Sequence, residues 1–175
     1  MAAWRYLIYV INMEKDVERL ASISANLASL GLAFERGPAV LGADHMDDPR
    51  KVDLQRYLSR NRRTKPRNGE VGCYLSHLRA YERLLTSDQP WCVVLEDDAE
   101  GLPELPGVLD ELGRRDDWDM AKLFCFHGGT PVTVGRLAGG QRLCVHLSRT
   151  TSTAGYAINR RAAETLLRKL LPMST

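Results

Sequence analysis

The stretch Trp91-Cys92-Val93-Val94-Leu95 runs directly into Glu96-Asp97-Asp98. A continuous apolar run with β-branched residues reads as a strand buried on both faces, as found in the middle of a parallel sheet. Three consecutive carboxylates at its carboxyl end repel one another and raise one another's pKa, so a fold tolerates them best where a cation or hydrogen-bond donors sit. In open α/β sheets ligands bind beyond the carboxyl ends of the strands, where these acids fall. A solvated acidic turn leaving a core strand is the other reading, and the triplet alone does not separate the two.

The rest of the chain supplies the order of elements. Arg5 to Ile11 is apolar and β-rich and runs through Asn12 into Glu14-Lys15-Asp16, a composition suited to the first turn of a helix. Val17, Leu20, Ile23 or Ser24, Leu27 and Leu30 recur at helical spacing up to Gly31, a C-cap candidate, and Leu32 to Arg36 is predicted as a second strand. This β-α-β order predicts an α/β sheet with Asn12 and a helix N-terminus at its ligand-binding edge. Arg19 sits within the first two turns of that helix, where position alone makes it an i,i+3 partner for Asp16. Gly42-Ala43-Asp44 is a turn, and Pro49 opens a short helix. Gly69 to Ser87 is the clearest helix: Val71, Tyr74, Leu75, Leu78, Tyr81 and Leu85 form one apolar stripe, with Glu70, Cys73 and His77 along the adjacent one. His77 reads either as a hydrogen-bonded core residue or as a site residue, and Ser76 either back-bonds to its own helix or faces a cleft. Beyond the triplet come a Gly/Pro loop, a short helix near Val108 to Leu112, a second buried strand from Asp119 to Phe126 ending in His127-Gly128-Gly129, a hairpin excursion from Thr130 to Gly140, and a strand from Arg142 to Leu147. Thr151 to Ile158 turns from small and polar to apolar, and Asn159 caps a last helix carrying Ala163, Leu166, Leu167 and Leu170.

Composition narrows the class. The 175 residues suffice for one sizeable core, so one domain over 1–175 is the expectation. A formal net charge of +2 argues against a general nucleic-acid binder. Basic residues nevertheless fill nearly half of Arg50 to Arg67, opposed only by Asp53, which reads as a solvated face, a phosphate holder or a contact with an anionic membrane surface. Cys73, Cys92, Cys125 and Cys144 form no CxxC pair and read as reduced core residues of a cytoplasmic protein rather than a zinc or disulfide frame. No segment approaches the length of a transmembrane helix, and MAAWRYLIYVIN is too short for a signal peptide.

Three segments together resemble glycosyltransferase family 25, which includes bacterial lipooligosaccharide galactosyltransferases. They are Tyr9-Val10-Ile11-Asn12 with Arg19, then Gly69-Glu70-Val71-Gly72-Cys73-Tyr74-Leu75-Ser76-His77 running on to Val93-Val94-Leu95-Glu96-Asp97-Asp98, and Thr153-Ala154-Gly155-Tyr156-Ala157-Ile158 followed by Ala162-Ala163. The resemblance implies an α/β fold of GT-A type, a Rossmann-like sheet flanked by helices. It also implies transfer of a hexose, galactose in the first instance, from a UDP-sugar to a saccharide or glycolipid acceptor in lipooligosaccharide or other cell-surface glycan biosynthesis. Mn²⁺ or Mg²⁺ is the implied cofactor, stabilising the departing diphosphate as a Lewis acid. Carried over by motif, Asp97 and Asp98 are the catalytic acids, Asp98 is the direct metal ligand with Glu96 in support, and Glu96 and Asp97 reach toward ribose. Ile11, Asn12, Arg19, Ser76, His77, Thr153, Gly155 and Tyr156 complete the implied nucleotide-sugar site. Members of the family continue past the last helix, so truncation is the expectation here. An inverting transfer needs a general base beside the acceptor hydroxyl, and no residue is an obvious one, with Glu70 the fallback. A non-catalytic nucleotide-sugar-binding module is the alternative. A nucleotidyltransferase would call for a Gly-rich phosphate loop with a Lys near the first strand, which the sequence lacks. Peripheral contact with the inner membrane through the basic segment is a further expectation.

Overall fold

The computed structural model describes residues 6–62 and 64–174. The first five residues of the N-terminal stretch considered as a leader, Arg5 among them, and Arg63 of the basic segment lie outside the described residues.

A five-stranded sheet of order β2-β1-β3-β7-β4 forms the middle layer, from β1 (Leu7–Asn12), β2 (Glu35–Pro38), β3 (Trp91–Glu96), β4 (Met120–Lys122) and β7 (Gly155–Asn159). β1 pairs in parallel with β2 and β3, but β7 runs antiparallel to both β3 and β4. The sheet is therefore mixed, which corrects the expectation of a parallel one: β3 is its buried centre, but only one of its neighbours runs the same way.

Strand alternation assigns the two faces. Tyr9, Ile11, Cys92, Val94, Tyr156 and Ile158 point to one side, where α3 (Asn68–Leu85) and α5 (Arg160–Leu170) cover them with Val71, Leu75, Leu78, Leu84 and Ala163. Ile8, Val10, Trp91, Val93, Leu95 and Ala157 point to the other, under Ile23 and Leu27 of α1 (Val17–Ser29) and Leu109 and Leu112 of α4 (Leu105–Gly113). The continuous apolar run of β3 is thus explained by burial on both faces. Trp91 stacks on Tyr6 at 4.4 Å between ring centroids and meets Trp118 edge-on at 5.5 Å, closing the amino end of the sheet.

Within the basic segment Leu54–Arg60 folds as α2, whose N-cap Asp53 accepts from Arg56 N at 2.9 Å, so the helix starts later than Pro49 suggested. It is tied to the far end of the chain by Asp53 N donating to Met173 O at 2.9 Å and Met173 N donating to Lys51 O at 2.8 Å.

In the second half one prediction fails, while the excursion after Thr130 and the strand from Arg142 are both found, paired with each other. The strand expected from Asp119 to Phe126 shrinks to Met120–Lys122, because it lies at the sheet edge and the chain leaves the ladder, with Phe124 and Phe126 exposed. The excursion after it is a separate hairpin of β5 (Pro131–Arg136) and β6 (Arg142–His146), whose Val132, Val134 and Val145 are exposed.

Candidate functional site

β1 and β3 end side by side, with Ile11 opposite Glu96 in register. The next residues, Asn12 and Asp97, therefore meet. Asn12, 1% exposed, donates from Nδ2 to Asp97 Oδ2 at 2.7 Å and to Asp16 O at 3.0 Å, while its Oδ1 accepts from Arg36 Nε at 2.9 Å. One amide side chain thus ties the strand end to the first turn of α1, to β2 and to the acidic triplet. Asp97 is 9% exposed, and its second oxygen accepts from Arg19 Nη1 at 3.3 Å. Burial of a carboxylate is tolerable here because both oxygens are paired. Arg19 also lies 3.7 Å from Asp98, so its partners are the triplet acids rather than the Asp16 carboxylate expected from position. Helix periodicity places it on α1, but only the sheet register shows what it faces.

Glu96 is held from the opposite side. Its Oε1 accepts from Thr153 Oγ1 at 2.7 Å and lies 3.3 Å from His77 Nε2. Behind it, His77 Nδ1 is 2.8 Å from the Tyr156 hydroxyl, which donates to the Tyr81 hydroxyl at 3.0 Å. With the Tyr156 proton committed to Tyr81, His77 donates through Nδ1, and its Nε2–H then faces the carboxylate, so the ring is an imidazolium. Burial works against that charge, but the adjacent Cys73 thiol and the Glu96 carboxylate outweigh it, and the pKa of His77 is pushed up to about 9. The same ring holds Glu96 below the usual carboxylate range, against burial and with help from Thr153.

These groups border a cavity of about 340 Å³ lined by Ile11, Arg19, Ser76, His77, Glu96 and Asp97 among the predicted residues. The loop Ala39–Ala43, the first turn of α3 and Cys73 complete it. The loop is pinned by Ser76, which is buried, accepts from Val40 N at 2.8 Å and donates to Gly72 O at 2.7 Å. Its backbone lies against α3 so closely that a Cβ on Gly72 would stand 2.6 Å from Val40 O and one on Gly42 2.0 Å from Asn68 O. Of the two glycines in the Gly-Glu-Val-Gly-Cys stretch, Gly72 is therefore a packing requirement, while a Cβ on Gly69 would meet open space.

The other predicted residues divide. Asn12 and Tyr156 are buried behind the cavity wall and position what faces it. Thr153 orients Glu96. Asp98 and Gly155 line a second cavity, about 610 Å³, on the far side of the β3 end, between Leu102, Leu105 and Val108 of the α4 region and Leu123 and Phe124 after β4. Glu96 and Asp98 thus open into different cavities. Glu70 lines neither: it accepts from Arg67 N at 3.0 Å at the start of α3 and from the Tyr57 hydroxyl at 3.2 Å, beside a basic recess with Arg60, Arg62, Lys65 and Arg67. Glu70, the fallback base, thus borders the basic recess rather than either of the two cavities. Cys73, expected in the core, is exposed and faces the first cavity; Cys92 is the buried one. Arg36, Tyr81 and the Ala39–Ala43 loop escaped sequence reasoning, since their partners lie on other elements.

No helix among the described residues is long and apolar enough to cross a membrane. Compared with known proteins, residues 6–123 match the model of glycosyltransferase family 25, described as an LPS biosynthesis protein. A glycosyltransferase 25 family member of Anopheles gambiae is 31% identical over 180 aligned residues, covering 95% of this chain and 30% of that protein. Another, of Aedes aegypti, is 35% identical over 121 residues, covering 65% of this chain and 20% of that protein. The lacto-N-neotetraose biosynthesis glycosyltransferase LgtB of Neisseria gonorrhoeae is 27% identical over 167 residues, 88% of this chain and 57% of its own length.

Proposed function

The chain belongs to glycosyltransferase family 25, and from that membership we propose that it transfers a hexose from a UDP-sugar to a hydroxyl of a saccharide or glycolipid in cell-surface glycan biosynthesis. Galactose is the sugar the sequence resemblance favours, and the mixed sheet is read as a GT-A sheet. The observation that carries the proposal is the first cavity: it opens at the carboxyl ends of β1 and β3, the ligand-binding edge of such a sheet, and pairs carboxylates with Arg19 and the N-terminus of an 18-residue helix. A diphosphate has cationic partners there in the guanidinium and the positive end of the α3 dipole. Ile11 and the Ala39–Ala43 loop offer backbone to the nucleoside, and Glu96, locked by Thr153 and His77, is an acceptor for ribose hydroxyls.

Mn²⁺ or Mg²⁺ is part of the proposal, with Asp98 as its direct ligand: Asp98 lines the second cavity but lies 3.7 Å from Arg19 of the first, so an ion on it borders the diphosphate. The fit rests on donor chemistry: Asp98 is half-exposed and only loosely paired with Arg19, and such hard cations are commonly held by one or two carboxylates plus substrate phosphates. A bound cation supplies Lewis-acid stabilisation of the leaving diphosphate. Asp97 is a positioning residue, since both of its oxygens hold the triplet to β1 and α1. The exposed Arg56, Arg60, Arg62, Lys65 and Arg67 form the surface for peripheral contact with an anionic membrane.

Calorimetry with UDP tests the site. Binding is expected to require Mn²⁺ or Mg²⁺ and to be lost in Asp98→Ala; equal binding in excess EDTA overturns the metal assignment. Incubation with a panel of UDP-sugars then separates an enzyme from a binding module, because tight binding without hydrolysis or transfer selects the module. Absence of any preference for anionic over neutral vesicles at low salt removes the membrane contact.

A further inference from the structure

We propose that Cys73, His77 and Glu96 form a second metal site, separate from Asp98, that takes a thiophilic divalent cation of the zinc class. One ligand atom from each, the Cys73 Sγ, a His77 ring nitrogen and a Glu96 carboxylate oxygen, lie within 4.8 Å of one another, the one group of three such side chains that converges among the described residues.

The elements explain why they meet. Cys73 and His77 are four residues apart on α3 and so share a face one turn apart, the spacing by which a helix presents two ligands to one ion. Glu96 arrives at that face from the end of β3. A zinc-class ion sits roughly 2.0 Å from nitrogen and oxygen and about 2.3 Å from sulfur, so tetrahedral ligand atoms stand roughly 3.3 to 3.6 Å apart. The 3.3 Å between His77 Nε2 and Glu96 Oε1 already matches that spacing.

Two further observations support a ligand role. Each of the two better-buried ligands is held by a hydrogen bond from another element: His77 on its far side, with Nδ1 2.8 Å from the Tyr156 hydroxyl, and Glu96 by Thr153 Oγ1, which donates at 2.7 Å to the same Oε1 that faces His77. Outer partners of this kind fix the ring and the carboxylate of metal sites. All three ligands also line the same cavity, so a fourth position opens toward a water or a ligand oxygen, as in zinc sites that are not closed by protein.

Charge agrees with that choice of ion. A thiolate, a neutral imidazole and a carboxylate carry two negative charges and neutralise a divalent cation, whereas Mg²⁺ and Ca²⁺ prefer all-oxygen ligands. On binding, three metal–ligand bonds form, and the Cys73 thiol proton and the Nε2 proton of His77 pass to solvent. The ligands line the cavity assigned to the nucleotide, but the test of the site involves neither nucleotide nor transfer, so its outcome is read separately from the proposed function.

Co²⁺ titration of the metal-stripped, reduced full chain is the test. Expected are a saturable near-ultraviolet sulfur-to-cobalt band and visible bands of a four-coordinate ion, both bleached by Zn²⁺. Cys73→Ser abolishes the near-ultraviolet band, Glu96→Gln weakens Co²⁺ binding by about tenfold or more, and Asp98→Ala leaves the spectrum unchanged. A measurement without variants accompanies it: Zn²⁺ protects Cys73, but not Cys125 or Cys144, from alkylation followed by mass spectrometry. No near-ultraviolet band in excess Co²⁺, a band that survives Cys73→Ser or vanishes in Asp98→Ala, or Cys73 alkylated at the same rate with and without Zn²⁺ overturns the site.

Discussion

The polar wall behind the first cavity and the β4–hairpin region are built on opposite principles. Behind the cavity, Asn12, Asp97, His77, Tyr156 and Ser76 are all buried, and each is held by partners on other elements. Around β4 and the hairpin, Phe124, Phe126, Val132, Val134, Val145 and Leu147 are exposed, and β5 and β6 pair only with each other. The first region fixes side chains to within a hydrogen bond of one another; the second leaves apolar groups in solvent. A buried polar network loses stability steeply when one member is removed, because its partners are left unpaired in a medium that cannot solvate them. An exposed apolar group has little to lose.

The largest effect that sharpens this contrast is expected from Asn12→Leu. The substitution keeps the approximate volume but removes both donors and the acceptor that join β1 to Asp97, α1 and Arg36. Asp97 is left buried with the half-exposed Arg19 as its remaining side-chain partner, and a loss of about 3 kcal/mol follows for a broken buried charge contact. Urea denaturation measures it. A loss below about 1 kcal/mol would show that solvent reaches Asp97 freely, and the contrast between the two regions would dissolve.

Tyr156→Phe comes next. The ring packing is retained, but the hydroxyl that accepts from His77 and donates to Tyr81 is gone. Leaving a buried imidazole N–H without an acceptor costs about 2 kcal/mol. The readout specific to the network is His77 itself: its ring signals in NMR are expected to broaden as the side chain loses its fixed orientation, and unchanged signals would mean that Glu96 alone positions the ring.

These two residues also mark how far the sequence reaches. Asn12 is legible as the end of a strand entering a helix, and Trp91 to Leu95 as a strand buried on both faces, because hydrophobic periodicity is a local property that survives folding. The cavity-lining His77, Glu96 and Asp97 are legible for the same reason, through helical spacing and position at a strand end. What escapes is pairing between distant segments. Nothing local says that Arg19 faces Asp97 rather than Asp16, that Ser76 caps the Val40 amide, or that Tyr81 takes the Tyr156 proton. Strand direction is equally hidden: β7 carries the same alternating pattern whether it runs with β3 or against it. Asp119 to Phe126 misleads because apolar residues on an exposed edge look like apolar residues in a core. The exposure of Cys73 is likewise set by the open cavity next to it, not by its apolar neighbours in sequence.

The smallest expected effect lies in the other region and is the one best placed to break the comparison. Phe126 is 72% exposed, and its ring meets that of the adjacent His127 edge-on, with centroids 4.9 Å apart. Phe126→Ser therefore removes little buried area, and stability is expected to change by no more than about 0.5 kcal/mol, as for surface positions away from networks. Urea denaturation at several protein concentrations checks this. A loss above about 1 kcal/mol that grows with concentration would mean that the apolar surface around β4 and the hairpin is covered in solution by another chain. The two regions would then differ not in how tightly they are built but in what completes them, since the polar wall closes on its own side chains and the apolar surface would close on a partner.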